Sequence, residues 1–297
     1  MTTNAKYREI IYQHLLHFDN SCAGDAETCM ILMTGSRGRG DYRMDSDADV
    51  VFVYDCPMSD SVKLRDRIRF RSREHNIDYQ GFELKVFLRL VAELDPHIWE
   101  SLINSLPIKG VMTRNIFIDQ MDSDAFFRLM HRFTSAHNGI REKECLAITE
   151  YQRQRQVARV KMAINYAEMA EILFSFINTN FDEVKGELQT QGRKILRMRL
   201  ANEAVYEKAR NLLIAAARPG ERKSLAMCKV AFDMIAESVD NVHRCVEGCI
   251  KQIREREGQA HSRFTEDFNP DNPELQSLIM LDGIHTTYQS TLFTQTF

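Results

Sequence analysis

Short apolar runs bounded by polar residues mark the first third of the chain as its sheet-forming part. Residues 30–33 and 50–53 are apolar runs that end abruptly, which favours buried strands over helices. Residues 5–18 instead place apolar side chains at helical spacing, so we expect an amphipathic helix packed on the sheet. Over this region the pattern predicts strands at 29–34, 49–54 and 75–79, helices at 5–18, 61–73, 82–94 and 96–102, and a connector or short strand at 107–112.

From about residue 121 the strand signals disappear and long helical periods dominate. The predicted helices cover residues 122–137, 143–178, 182–217 and 221–256. Residues 258–275 are polar and contain two prolines, which indicates an extended linker. The predicted fold class is α+β, with a small mixed-sheet core over residues 1–120, a C-terminal helical domain over 121–257, and a linker and C-terminal tail over 258–297.

Composition places the chain among ordinary globular proteins. Its 297 residues are 44% hydrophobic and 27% charged, and no apolar run is long enough to predict a membrane span. Seven cysteines without tight pairing and an N-terminus without an apolar signal core predict a reduced, cytoplasmic protein. Cys245 and Cys249 share a helix face near His243, but zinc needs about four ligands, so we expect these residues to serve packing.

Two acidic residues open the second apolar run. Asp47 and Asp49 are two residues apart, so on a strand both side chains project to the same face. Paired carboxylates repel unless a cation lies between them, and oxygen ligands of this kind suit Mg²⁺. The preceding loop, residues 35–40, has glycines that let backbone N–H groups approach a phosphate, and a helical turn from Ser36 would point its N-terminus at the same charge.

Other phosphate or metal motifs do not fit this stretch. A P-loop needs Lys followed by Ser or Thr where residues 41–42 are Asp-Tyr, and a calcium loop needs glycine where Val50 stands. The glycines are ordered G-x-x-G-x-G, not as in the dinucleotide fingerprint G-x-G-x-x-G. A plain hairpin with a solvated acidic turn would explain neither Gly35-Ser36 nor the paired acids.

Gly35-Ser36, Gly40 and residues 46–50 together resemble the signature of the DNA polymerase beta superfamily of nucleotidyltransferases. Downstream, residues 78–90, followed by Asp-Pro at 95–96, are similar to the RNA-repair, polymerase-beta-like subgroup. The two resemblances cover about the first third of the chain. They imply a transferase that moves a nucleoside monophosphate from an NTP to an acceptor hydroxyl, releasing pyrophosphate.

The resemblance implies roles for the loop and the acids. Asp47 and Asp49 would bind two Mg²⁺ ions, one gripping the triphosphate and the other lowering the pKa of the attacking hydroxyl. The loop would hold the NTP through Gly35 and Ser36. Arg37 or Arg39 of the same loop would neutralise the charge of the leaving group. For each arginine taken singly, an exposed loop residue without this role is equally expected.

The superfamily adds a third carboxylate from a neighbouring strand. Asp78 is the best candidate, and Glu83 is the runner-up, expected instead to begin a helix. Lys85 is expected on the surface. Substrate-side groups without a specific argument are His131, His137 and Lys161.

Three classes of function follow. The first is nucleotidyl transfer to RNA, at a tRNA end or in RNA repair, and three basic clusters favour it: residues 63–73, 153–161 and 193–199. The second is transfer to a protein or small molecule, which the net charge of -3 favours. The third is a silent nucleotide-binding module, which the intact Asp47 and Asp49 disfavour.

Overall fold

The computed structural model describes most of the chain. The described residues are 4–21, 27–40, 42, 46–55, 67–143, 150–190, 196, 199–218, 220–221, 224–257 and 272–294. None of the described helices is long and apolar enough to cross a membrane.

A five-stranded mixed sheet organises the N-terminal half. Its strands are β1 (Glu27–Thr34), β2 (Ala48–Asp55), β3 (Arg67–Ser72), β4 (Ile77–Glu83) and β5 (Leu106–Lys109), in the spatial order β3-β4-β2-β1-β5. Strands β2 and β4 run parallel, and the other neighbouring pairs are antiparallel. In sequence β3 comes between β2 and β4, but in the sheet it lies outside β4, at the edge. Because β3 runs antiparallel to both, the chain returns and β4 runs parallel to β2.

Helices surround and follow this sheet. They are α1 (Asn4–Ser21), α2 (Gly35–Arg39), α3 (Leu84–Ala92), α4 (Pro96–Asn104), α5 (Val111–Asp119), α6 (Ser123–Glu142), α7 (Glu150–Phe174), α8 (Phe181–Thr190), α9 (Glu203–Ala216), α10 (Ser224–Glu257) and α11 (Pro273–Thr294). The sheet with later helices confirms the predicted α+β class.

The two faces of the sheet carry different side chains because successive strand residues alternate in direction. One face packs against α1 through Ile11 and Leu15 and is rich in aromatic residues, including Phe52 and Tyr79. The opposite face packs against α3, where the ring centroids of Phe82 and Phe87 are 6.3 Å apart. Asp49 on β2 and Asp78 on β4 belong to this second face.

The C-terminal helix α11 packs against the sheet. Asp282 on α11 accepts hydrogen bonds from the backbone N–H and hydroxyl of Thr113, both at 2.7 Å. Gly283 lies so close to β1 that an added Cβ would be 2.9 Å from the carbonyl oxygen of Cys29. The described part of the expected tail is therefore a helix packed on β1, whereas residues 258–271 of the expected linker lie outside the described residues.

Near the edge of the sheet, one predicted element is wrong and another has different bounds. The helix predicted over 61–73 is a strand from Arg67 to Ser72, because arginines there alternate with Ile68 and Phe70 at the strand period of two; residues 61–66 lie outside the described residues. The strand predicted at 75–79 continues to Glu83 through Gly81. A Cβ on Gly81 would lie 2.4 Å from the Phe52 ring, so this glycine permits close packing inside the strand and does not end it.

Element boundaries in the helical half differ from the predictions. The helix predicted over 122–137 continues to Glu142 as α6. The described part of the region predicted as one helix over 182–217 contains α8 and α9, with a turn at residues 201–202. Helix α5 was missed, since residues 107–112 were expected only as a connector or short strand; they contain most of β5 and the start of α5.

The chain forms two compact units. One comprises Met1–Met121, Leu188–Lys194 and Arg263–Phe297; the other comprises Asp122–Glu187 and Ile195–Ser262. The second unit is helical, with α7 packed against α6, α9 and α10. The functional division at residues 120 and 257 stays a prediction.

Candidate active site

The parallel strand pair brings three carboxylates together. Asp49 on β2 stands directly opposite Asp78 on β4, and Asp47 lies one residue before β2 begins. Each of the three offers a carboxylate oxygen, and these oxygens lie within 4.8 Å of one another. All three are half-buried. Oxygen ligands at such separations fit a hard divalent cation such as Mg²⁺.

The first residue of α2 touches this cluster. Gly35 has a φ of +62°, a left-handed conformation that side chains disfavour, and a Cβ built on it would lie 1.9 Å from Asp49 Oδ2. The hydroxyl of Thr34 donates to the carbonyl oxygen of Asp49 at 3.3 Å. Only glycine therefore lets the loop and the carboxylate occupy their observed positions, and Ser36 follows at the same turn.

Arg37 is buried and braces the approach to Asp47. Its guanidinium carbon lies 4.1 Å from the ring centroid of Tyr7 and 4.8 Å from that of Tyr42. Its Nη2 and Nε donate to the carbonyl oxygen of Ser46 at 2.8 and 3.2 Å. The arginine thus fixes the backbone immediately before Asp47.

Arg39 is also buried, and its Nη1 lies 3.6 Å from Glu100 Oε1. Neither loop arginine is a solvent-facing residue. Their observed partners are protein groups, so a contact of Arg37 or Arg39 with a nucleotide stays a prediction.

The structure separates the two candidates for the third carboxylate. Glu83 caps the N-terminus of α3, where its side chain accepts from the backbone N–H of Val86 at 3.1 Å. Asp78 joins the carboxylate cluster and lies 3.5 Å from Arg71 Nε on the edge strand. Sequence reasoning missed Arg71 as a site neighbour. The signal was its alternation with Ile68 and Phe70, which was interpreted as part of a helix.

The residue after Asp78 anchors β4 to the other face of the sheet. The hydroxyl of Tyr79 lies 2.7 Å from His14 Nδ1, and its ring stacks on Phe70 at 4.5 Å. Burial raises the pKa of Tyr79 well above its usual value, and burial followed by repulsion from His75 lowers the pKa of His14. Both groups are therefore neutral at neutral pH. They fix the position of β4 and add no charge to the carboxylate site.

The remaining predicted residues lie elsewhere. Lys85 is exposed on α3, as expected. His131 and His137 lie on α6 and Lys161 on α7, all in the second compact unit, so their substrate role stays a prediction.

A comparison with protein families matches the part of the chain that contains the sheet and its acidic residues. The model of the RNA repair pathway DNA polymerase beta family matches residues 8–163, just over half of the chain. The chain belongs to this family. The match to the RNA repair pathway family begins in α1, includes the whole sheet and ends within α7. It confirms the family predicted from residues 35–50, and with it the nucleotidyltransferase type.

Other comparisons add less. The chain is similar to the nucleotidyltransferase-like protein from Exiguobacterium sibiricum 255-15, with 10% sequence identity, 92% of each chain covered and a TM-score of 0.29. A likeness at that TM-score supports no argument about this family member. No curated protein matches the chain.

Proposed function

We propose that this protein is a magnesium-dependent nucleotidyltransferase that moves a nucleoside monophosphate from an NTP to a hydroxyl of RNA, at a tRNA end or a repair site. The observation that carries the proposal is the pairing of Asp49 with Asp78 across parallel strands, with Asp47 beside them. Family membership supports the transferase type.

The three carboxylates would hold the metal. Two bound Mg²⁺ ions would neutralise triphosphate charge and lower the pKa of the attacking hydroxyl. Asp47 and Asp49 would contribute to both ions because they lie two residues apart at the start of β2. Asp78 would orient the acceptor hydroxyl from the neighbouring strand. Pyrophosphate is the leaving group of this displacement.

The loop would hold the triphosphate. Gly35 approaches Asp49 without a side chain, so the phosphates and the metal-binding oxygens can occupy adjacent positions. Ser36 would add a hydroxyl donor. Arg37 would act on the site through the backbone of Ser46, by fixing the turn that presents Asp47.

The edge strand supports RNA as the acceptor. Arg67, Arg69 and Arg71 alternate along β3 and are exposed, so their Cα atoms lie about 6.7 Å apart and their side chains project from one face of the sheet. They share this face with Asp78, since β3 residue 71 pairs with β4 residue 78. A row of arginines beside the carboxylates suits a phosphate backbone entering the site.

The test is to incubate the purified chain with each α-³²P-labelled NTP, Mg²⁺, total RNA and total protein. We expect label in RNA, dependence on Mg²⁺, and no transfer by Asp49→Asn. Label in protein or a small molecule would replace RNA as the acceptor. Absence of transfer with every NTP and every acceptor fraction would contradict the transferase assignment for this site.

A further inference from the structure

A second group of metal-type ligands lies in the helical unit, in residues that the proposed reaction does not use. His131 on α6 faces His243 on α10, with ring centroids 5.0 Å apart and planes inclined by 22°. Glu247 stands one turn after His243. Its Oε1 lies 3.3 Å from His243 Nε2 and 3.7 Å from His131 Nε2.

Thr134 contacts the ring nitrogen of His243 that lies away from Glu247. Its hydroxyl donates its single hydrogen to the carbonyl oxygen of His131 at 3.1 Å and lies 2.7 Å from His243 Nδ1. When that hydrogen is used in this way, the hydroxyl oxygen can accept from Nδ1–H, and in that tautomer the lone pair on Nε2 is directed at Glu247. A hydrogen bond from the remote ring nitrogen is the usual support of a metal-binding histidine.

The distances suit one ion. Ligands that each lie about 2 Å from a tetrahedral centre are about 3.3 Å apart, close to the separations observed here. Two imidazoles and a carboxylate form a donor set that Zn²⁺ and similar transition metals prefer to Mg²⁺. Glu247 is exposed and the histidines are half-buried, so water can complete the coordination.

We propose that His131, His243 and Glu247 bind one divalent transition-metal ion of the zinc class, which cross-links α6 to α10. The neighbouring thiols on α10 are not part of this group: Cys245 and Cys249 are absent from it among the described residues. The proposal gives His243 metal-binding partners other than the two cysteines, for which a packing role stays the prediction.

The test measures metal stoichiometry and thermal stability in the full chain without an affinity tag. Equilibrium dialysis against Co²⁺, with excess Mg²⁺ to occupy the carboxylate cluster, compares wild type with His131→Asn, His243→Asn and Glu247→Gln. Thr134→Val, which replaces the supporting hydroxyl with a methyl group of similar size, is expected to bind about tenfold more weakly. Matched controls are Glu255→Gln, an exposed acid on the same helix, and His17→Asn, an exposed histidine on α1.

We expect wild type and both controls to bind one Co²⁺ more than each of the three ligand variants. Co²⁺ should also raise the melting temperature of wild type and of the controls while leaving the ligand variants unchanged. Because the ligands are on the surface side of folded helices, circular dichroism of the metal-free variants should match wild type. Equal Co²⁺ stoichiometry in wild type and in His131→Asn and His243→Asn would overturn the site, as would a wild type that Co²⁺ does not stabilise.

Discussion

At the scale of single residues, the candidate site depends on the contact between Gly35 and Asp49. The carboxylate of Asp49 occupies the place where a side chain at residue 35 would begin. The loop glycine therefore has a second role besides leaving room for phosphate. It lets the Asp49 carboxylate lie against the loop backbone, so the loop and this acid pack together.

Gly35→Ala should abolish most activity by displacing the Asp49 side chain. We expect the turnover rate to fall by at least about 100-fold, while a strain of about 1–2 kcal/mol appears in the free energy of unfolding. Gly40→Ala is the matched control, because Gly40 has a φ of +77° but its Cβ would meet nothing within 4 Å. Both variants carry the strain and only one carries the clash, so equal activities would contradict the argument.

Asp78→Asn and Glu83→Gln should differ in kind. Asp78→Asn should slow the single-turnover rate by about 100-fold or more with little change in NTP affinity, since Asp47 and Asp49 remain. Glu83→Gln should keep the rate and lose about 0.5–1 kcal/mol of stability with its helix cap. Rapid-quench kinetics and thermal unfolding measure the two effects. An inactive Glu83→Gln beside a normal Asp78→Asn would reverse the assignment.

His137 should make the protein sensitive to acid. Burial lowers its pKa from 6.5 to about 4, while its Nδ1 lies 3.0 Å from the carbonyl oxygen of Ala163. Below pH 6.5, His137 binds a proton in the unfolded chain but not in the folded chain. The free energy of unfolding is therefore highest above pH 6.5 and decreases as the pH falls towards 4. The loss is about 3 kcal/mol at most.

His137→Asn keeps an N–H donor for Ala163 but cannot be protonated. Its unfolding free energy, measured between pH 7.5 and 4.5 by chemical denaturation, should fall less with pH than that of wild type. His17→Asn, an exposed histidine, should follow wild type. Parallel pH curves for wild type and His137→Asn would show that this buried imidazole does not control the acid response.

At the scale of elements, the edge strand β3 places a row of arginines beside the acidic residues. It contributes Arg71 beside Asp78 and places Arg69 opposite Gln80, whose amide oxygen also lies 3.2 Å from His97 Nε2. Among the described strands, β3 has a partner on one side only, and its arginines are exposed. The element is therefore suited to guide a charged substrate without being part of the reaction.

Arg69→Ala should weaken RNA binding and leave NTP affinity unchanged, because Arg69 lies two residues along β3 from the position opposite Asp78. We expect the slope of log affinity against log salt concentration to drop by about one in magnitude. Arg89→Ala on α3, also exposed, is the control for loss of one positive charge. Filter binding at several salt concentrations gives the slopes, and equal slopes for the two variants would remove β3 from the RNA path.

The sequence predicted the elements of the site better than their edges. Asp47 and Asp49 were found because their spacing and the apolar run after them are local. Asp78 needed the resemblance, since its partner on β2 is fixed only by long-range strand pairing. β3 was misassigned because a run with an arginine at every second position satisfies a basic helix face as well as a strand. The buried positions of Arg37 and Arg39 depend on Tyr7 and Glu100, which no local pattern indicates.

At the scale of the whole molecule, distant parts of the chain complete the sheet-containing unit. Helix α11 contacts β1 through Gly283 and α5 through Asp282, although α6 to α10 intervene in the sequence. The unit that carries the carboxylates is therefore closed by a segment that a division of the chain at residue 120 would not include.

Gly283→Ala and Gly248→Ala should change stability in opposite directions. A Cβ at residue 283 would press on the backbone of Cys29, so we expect a loss of about 1–3 kcal/mol. Gly248 is an exposed glycine of α10 with nothing within 4 Å of its added Cβ, and alanine there should gain about 0.5–1 kcal/mol. Urea unfolding measures both. A Gly283→Ala protein as stable as wild type would mean that α11 does not press on β1.

The packing of α11 on β1 also has a consequence for synthesis of the protein. Gly283 leaves the ribosome 254 residues after Cys29, an interval of about 13–50 s at ordinary translation rates. Throughout that interval the backbone of β1 that α11 covers in the finished chain stays open to water and to chaperones. Translation that stops before α11 therefore releases a protein with all three acidic residues and all five strands, but without the helix that covers β1.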